Sequence, residues 1–220
     1  LDQVAGDAFS ARWGVRLLPT TDPLFSPSSY HGGTVWPLLT GWTACAEYRA
    51  GRVEAAFRHL AANASLAWRR QLGAFDEVLH GLEERSAGVC ADQAWSAAMV
   101  IAPLVEGLLG VEPDAPNGRI TIAPALPPEW DWMEARGIRC GESVVDLRLK
   151  RRASSLDIAL RRTAGPPAWV TLAPWLGAAA TYVEVDGERV VARVTTLGTE
   201  TRNAVELQAG GEHEVRFVTG

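Results

Sequence analysis

The sequence predicts a helical first half followed by a strand-rich second half, α then β. Three observations carry this. Up to about residue 110, apolar residues recur every three or four positions. Beyond about residue 115 they alternate with polar residues in short runs. Between the two, Glu112 to Gly118 collects Pro, Asp, Asn and Gly, the composition of a linker. The expected division is 1–111 and 112–220.

Each element has its own signal. Thr34 is placed to cap a helix, Pro37 fits its first turn, and Ala50-Gly51 can end it. Val53 to Leu72 carries Val53, Ala56, Phe57, Leu60, Ala64 and Ala67 on one face, and Gly73 closes it. A third helix is expected from Asp92 to Leu109, kinked at Pro103 and ended by Gly110. A shorter one is expected to end near Phe9. The strand signals are Arg119 to Ile122, Val144 to Leu149, Leu156 to Leu160, Trp169 to Leu172, Tyr182 to Val185, Val190 to Val194, Ala204 to Leu207 and Glu214 to Val218. Asp186-Gly187 is a hairpin turn. Short strands at this spacing predict a small antiparallel β-sandwich.

Composition narrows the function. The chain has 220 residues and a formal net charge of -5. Residues 1–110 carry 8 basic and 11 acidic side chains and residues 111–220 carry 13 and 15, so neither half is a cationic surface. Nucleic acid is therefore not an expected partner. No apolar run approaches the ~18 residues of a membrane span, so no membrane partner is expected either. No signal peptide is visible, and the expected location is cytoplasmic. Cys45, Cys90 and Cys140 are far apart in sequence and read as buried free thiols in a reducing compartment. No metal site and no cofactor are expected. Tryptophan is abundant, with nine residues. An indole combines a large flat face with one N–H donor, and so suits both cores and sugar-stacking platforms.

Two long loops, Ser10 to Gly33 and Ala74 to Ala91, hold the residues best suited to chemistry. Loops of this length are commonly functional. The first contains Trp13-Gly14-Val15-Arg16 and Tyr30-His31. The second contains Phe75-Asp76-Glu77-Val78-Leu79-His80-Gly81, and the third helix opens Asp92-Gln93-Ala94-Trp95-Ser96. Taken singly, each has a structural reading. Glu77 reads as a solvated carboxylate, His31 as a cap, Gln93 as a first-turn polar residue and Trp95 as a core anchor. Taken together, carboxylate, imidazole, amide and indole all fall at helix entrances or in the loops before them, where catalytic groups concentrate.

Four motifs in order, WGVR, YHGGTVWPLLTG, FDEVLHG and ADQAWSAA, resemble the C-terminal part of the α-1,6-glucosidase unit of glycogen-debranching enzymes. LPPEW, IRCG and VDLRLKR extend the resemblance to about residue 151. That family is an (α/α)6-barrel, or six-hairpin, glycosidase. The resemblance implies that 1–111 is part of such a barrel and that 112–220 is the β-sandwich following it. Glu77 aligns with the family's general base, which activates water for inverting hydrolysis. Trp36 and Trp95 would stack on sugar rings, His31 and Gln93 would bond to hydroxyls, and Trp13 and Tyr30 would frame the pocket. The glycines of YHGGTVWP would let the backbone approach the sugar. The general acid lies in an upstream segment of the family barrel, so a missing N-terminal barrel segment, in cis or trans, is an expected partner beside an oligosaccharide or polysaccharide substrate. The isolated chain is then expected to be inactive.

This sequence departs from the family pattern at three places. Asp76 stands where Pro is usual, Gly32 where Asn is usual, and His80 where Asp is common. These residues shape the pocket, so the sugar stays open. The alternatives are a hydrolase of another oligosaccharide on the same barrel, or a non-catalytic carbohydrate-binding module that keeps the tryptophans and tolerates loss of Glu77.

Overall fold

The computed structural model forms two units, Leu1–Gly107 and Leu108–Gly220. It describes residues 1–197 and 200–219, without the side chain of Glu200; Gly198, Thr199 and Gly220, in the expected sandwich half, lie outside the described residues.

The first unit has helices α1 (Asp2–Ala5), α2 (Pro37–Arg49), α3 (Val53–Ser65) and α4 (Ala94–Ala102), with a two-residue strand pair, β1 (Ser10–Ala11) and β2 (Gly14–Val15). Pro37 occupies the first position of α2, where its missing N–H leaves no bond unmade. The N-cap is Trp36 rather than the expected Thr34, whose hydroxyl donates to the Tyr30 carbonyl instead. Helix α3 ends at Ser65 in a 3-10 turn, Leu66–Trp68, short of the expected Leu72.

Helix α4 also stops early, at Ala102, and continues as a π-helical turn, Pro103–Leu108. Pro103 has no N–H for the carbonyl of Met99. Asn63, fully buried on α3, donates to that carbonyl at 3.1 Å and to the Pro37 carbonyl at 2.8 Å. One amide thus joins three helices. Helices α2 and α4 meet at Gly41, where a Cβ would lie 2.4 Å from the Met99 Cβ.

The second unit carries the remaining strands: β3 (Val111–Asp114), β4 (Arg119–Ile122), β5 (Trp132–Cys140), β6 (Ser143–Arg151), β7 (Ser155–Ala164), β8 (Ala168–Leu172), β9 (Trp175–Leu176), β10 (Tyr182–Val185), β11 (Glu188–Val190), β12 (Arg193–Leu197), β13 (Glu200–Ala209) and β14 (Glu212–Val218). One six-stranded sheet runs β11-β10-β14-β7-β6-β5. The other runs β12-β13-β8-β4-β3, with β9 paired to β13. Each sheet buries one face: Leu147, Leu149, Ile158, Leu160 and Phe217 from the first, Ile120, Ile122, Val170 and Leu172 from the second.

Several expectations are corrected. The sheets are not wholly antiparallel, because β4 pairs β8 in parallel. The stretch expected as linker holds edge strand β3, where Pro113 is tolerated because only one side of the strand needs its donors. Strand β5 was not expected. Its alternation breaks at a register shift between Ala135 and Ile138, where Gly137 takes φ 71 and donates its N–H to Asp146. The expected strand Val190 to Val194 straddles the end of β11 and the start of β12. Of the cysteines expected to be buried, only Cys140 is; Cys45 and Cys90 are half-buried. The hairpin at Asp186-Gly187 forms as expected, with φ of 53 and 85.

The Gly41 crossing yields a stability prediction. Gly41→Ala must push Met99 away, so thermal or urea unfolding should show a loss of about 1–3 kcal/mol. An unchanged midpoint would mean the helices do not touch there.

Candidate active site

The long loops are pinned by backbone. Val35 N and Leu79 N each donate to the other's carbonyl at 2.9 Å. Arg16 bridges to Val35 on one side and Ser86 to Leu79 on the other. Val35, Leu66, Phe75 and Leu79 form a buried cluster beneath, against which Trp13, Ala97 and Val100 pack. Two further bonds fix the segment carrying Glu77: Glu77 N to the Cys90 carbonyl and Gln93 N to the Phe75 carbonyl, both 2.8 Å.

On this frame the structure brings together Tyr30, His31, Trp36 and Glu77. The Tyr30 hydroxyl donates to Glu77 Oε1 at 2.5 Å. Its ring meets Trp36 edge-on, with centroids 4.6 Å apart, and lies 4.8 Å from His31; His31 and Trp36 are 6.0 Å apart. The Trp36 indole N–H is shared between the Tyr30 carbonyl and Thr34 Oγ1 at 3.1 and 3.0 Å, so both rings are held from behind. Glu77 is 6% exposed, while Tyr30 is 36% exposed. Among the described residues only Oε1 of Glu77 takes a protein hydrogen bond. Oε2 is left without a protein donor among the described residues.

Trp13, Gln93 and Trp95 sit differently. Trp13 packs against the buried cluster and donates its N–H to the His80 carbonyl at 3.1 Å. Gln93 is the N-cap of α4 and joins the frame through its backbone. Trp95 is on the first turn of α4 and is 41% exposed. Among the described residues, neither Trp13 nor Trp95 joins the Tyr30–His31–Trp36 ring cluster. The glycines serve the protein's own packing. A Cβ on Gly33 would lie 2.6 Å from the Phe25 ring, and one on Gly81 would lie 2.2 Å from the Gly33 carbonyl oxygen.

Sequence reading missed a second polar cluster. Ser10 Oγ lies 2.8 Å from His59 Nε2, and His59 Nδ1 lies 2.7 Å from Glu47 Oε2. The order matches a hydrolytic triad, but the proton placement does not. Ser10 spends its single hydrogen on the Val4 carbonyl at 2.6 Å, so it accepts from His59 instead of being deprotonated by it. Glu47 and His59 are 0% and 1% exposed. The cluster ties α2, α3 and the N-terminal segment together. Its only sequence trace is two polar residues on helices with apolar faces.

Tyr30 is electrostatically distinctive. Its hydrogen bond to Glu77 holds its proton, and burial and the charge of Glu77 add to this, so it ionises above the usual tyrosine value. Burial also pushes Tyr48 well above it. Among the described residues no group of His, Cys, Asp or Glu has the arrangement of a metal site.

Here a buried carboxylate lies beside a cluster of tilted and edge-on aromatic rings. Residues 20–102 match the family model described as Amylo-alpha-1,6-glucosidase, a match that covers less than half of the chain. The matched span contains YHGGTVWPLLTG, FDEVLHG and ADQAWSAA, while WGVR and the segments after residue 102 lie outside it. No curated protein matches the chain. Solved structures similar to it include the α-L-rhamnosidase from Dictyoglumus thermophilum (10% identity, 64% of this chain and 16% of that one, TM-score 0.45). Others are Streptomyces avermitilis α-L-rhamnosidase complexed with L-rhamnose (13%, 74% and 16%, TM-score 0.42) and a GH127 β-L-arabinofuranosidase from Geobacillus stearothermophilus T6 (7%, 90% and 36%, TM-score 0.40). The chain spans 16% to 36% of the length of these structures.

The Tyr30 contact predicts an alkaline signature. With its folded pKa raised, the stabilisation it contributes is complete below the unfolded value of about 10 and lost as pH rises through the folded value. In a tyrosinate absorbance titration, Tyr30→Phe should remove a step lying above pH ~10. Loss of a step at or below that value would mean the bond to Glu77 does not persist in solution.

Proposed function

We propose that this chain supplies the general base and part of the sugar pocket of an inverting glycoside hydrolase of the glycogen-debranching α-1,6-glucosidase type, acting on α-glucan or a related oligosaccharide. The observation that carries the reading is the Glu77 carboxylate: Oε1 fixed by Tyr30, Oε2 without a protein donor among the described residues, and aromatic rings alongside. A water on Oε2 would lose its proton to Glu77 as it attacks the anomeric carbon. Tyr30, His31 and Trp36 would hold the sugar, its apolar face on indole and its hydroxyls on imidazole and phenol. Trp95 and Gln93, at the entrance of α4, would extend the pocket, and Trp13 would support its wall.

Inversion also needs a carboxylic acid about 6.5–9.5 Å from the base to protonate the leaving oxygen. In this reading a further barrel segment, in cis or trans, brings it. Residues 1–111 are then part of an (α/α)6 barrel and 112–220 the sandwich that follows. Large exposed apolar side chains on the helices support this: Trp42 is 57% exposed on α2 and Ile101 59% on α4, surfaces that a barrel neighbour would cover. The three free cysteines fit a reducing, cytoplasmic setting. Among the described residues no helix is long and apolar enough to cross a membrane.

Two measurements test the reading. In the complete enzyme, Glu77→Gln should lower glucose release from branched α-glucan by about 10²–10⁴-fold, the usual worth of general-base catalysis, while oligosaccharide binding is kept. Near-normal turnover would move the base elsewhere. Residues 1–220 alone should release no glucose and should self-associate in solution. An active monomer would place the acid within the chain.

A further inference from the structure

We propose that the second unit carries its own α-glucan-binding surface, on the outer face of the β5–β6–β7 sheet and centred on Trp130 and Trp132. The proposal rests on the glucan reading above but uses none of the Glu77 site residues.

A cavity of about 500 Å³ is lined by the consecutive residues Glu129, Trp130, Asp131, Trp132, Met133 and Glu134. Trp130 is 37% exposed and Trp132 is 64% exposed, at the start of edge strand β5. Exposed aromatics on an unpaired sheet edge invite aggregation, so they are kept where a ligand uses them.

The platform is also preorganised. The Arg151 guanidinium donates to three successive carbonyls, Leu126 at 2.7 Å and Pro127 and Pro128 at 2.9 Å. Arg151 N donates to the Asp131 carbonyl at 2.7 Å, and Trp130 N closes a turn on Pro127 at 3.0 Å. A loop clamped in this way loses little entropy when it binds.

The charges select the ligand class. Glu129 and Asp131 have no ion-pair partner among the described residues, which alone would favour a cation over the indoles. However, Lys150 stands directly opposite Trp132 in the strand pair, on the same face. This cation opposes a cationic ligand at the indole. A neutral ring with an apolar face and a rim of hydroxyls fits: the face stacks on indole, and the hydroxyls donate to Glu129 and Asp131.

The surface is long enough for more than one sugar. Glu134 also lines a neighbouring cavity of about 580 Å³ on the same sheet, with Arg136, Asp146, Arg148 and Arg161. Most of its charges are paired, Glu134 with Arg136 and Arg148, and Asp146 with Arg161, while Glu212 also lines it. The two cavities share Glu134, so a polar site adjoins the aromatic one, which suits an oligosaccharide rather than a monosaccharide.

The test is affinity electrophoresis of the enzyme carrying residues 1–220 through gels containing glycogen, in a Glu77→Gln background so that the glucan persists. Trp132→Ala should weaken the binding constant by about tenfold, the usual cost of losing an aromatic anchor. Asp131→Asn should weaken it less. Trp36→Ala should leave the Trp132-dependent binding in place. This holds even if hydrolysis assays refute Glu77 as base, so the two readings fail separately. Circular dichroism should show an unchanged fold, because Trp132 is mostly exposed. Glycogen retention unaffected by Trp132→Ala, or a Trp132-dependent retention by oligolysine in place of glycogen, would overturn the proposal.

Discussion

A reciprocal pair of backbone hydrogen bonds between Val35 and Leu79 organises the helical unit, because it joins two loops that have little regular structure of their own. Val35 precedes Trp36, the N-cap of α2, so the pairing fixes where that helix starts and where its indole stands. Leu79 lies two residues after Glu77, so the same pairing fixes the carboxylate. Both residues are fully buried and share one apolar cluster with Phe75 and Leu66. Backbone pairing and side-chain burial therefore act at the same point. A change in either would shift ring and carboxylate relative to one another.

The unit buries two carboxylates, and each takes a side-chain hydrogen bond through one oxygen, in a different setting. Burial of an ionised group is costly unless it is hydrogen-bonded. Glu47 meets a fully buried imidazole that meets a hydroxyl already committed to a carbonyl, and no substrate can enter that chain of bonds. Glu77 meets the hydroxyl of a tyrosine whose ring is partly exposed and contacts two others, His31 tilted and Trp36 edge-on. Residue types alone would rank the Ser10–His59–Glu47 group above Glu77 as chemistry. Proton placement and access separate the two: Ser10 has no hydrogen left to give up, and His59 and Glu47 are buried, whereas Glu77 is bonded to a partly exposed tyrosine.

Local signals were legible in the sequence and long-range ones were not. Pro37, Gly51 and the Asp186-Gly187 turn act on their own neighbours, and the structure uses each as a helix start, a helix stop or a hairpin. The break of α4 at Pro103 was equally local, but that Asn63, 36 residues away, takes the Met99 carbonyl left free there was not legible. Strand β5 was hidden by the bulge at Gly137, which interrupts the alternation that marks a strand. At the site, motif order identified Glu77, His31 and Trp36 as a group. It gave no sign that Tyr30 touches Glu77 directly, since 47 positions separate them. Nothing in the spacing distinguished Trp13, which is drawn against the core, from the rings that stand at Glu77.

The departures from the family pattern become intelligible as backbone chemistry. Asp76, in place of Pro, turns its carboxylate onto the Ser86 hydroxyl at 2.9 Å, and Ser86 in turn accepts from Gly88 N at 3.1 Å. A hydrogen bond across the loop thus supplies restraint where a pyrrolidine ring would have supplied it, and the added charge is engaged by Ser86. His80, in place of Asp, accepts from Leu82 N and Glu83 N through Nδ1 at 3.3 and 3.1 Å. An aspartate in a turn accepts from the same kind of backbone N–H groups two or three residues on. For the neutral ring to accept at Nδ1, its proton must sit on Nε2. His80 thus keeps the turn with a ring nitrogen as its acceptor, on the loop that follows Glu77.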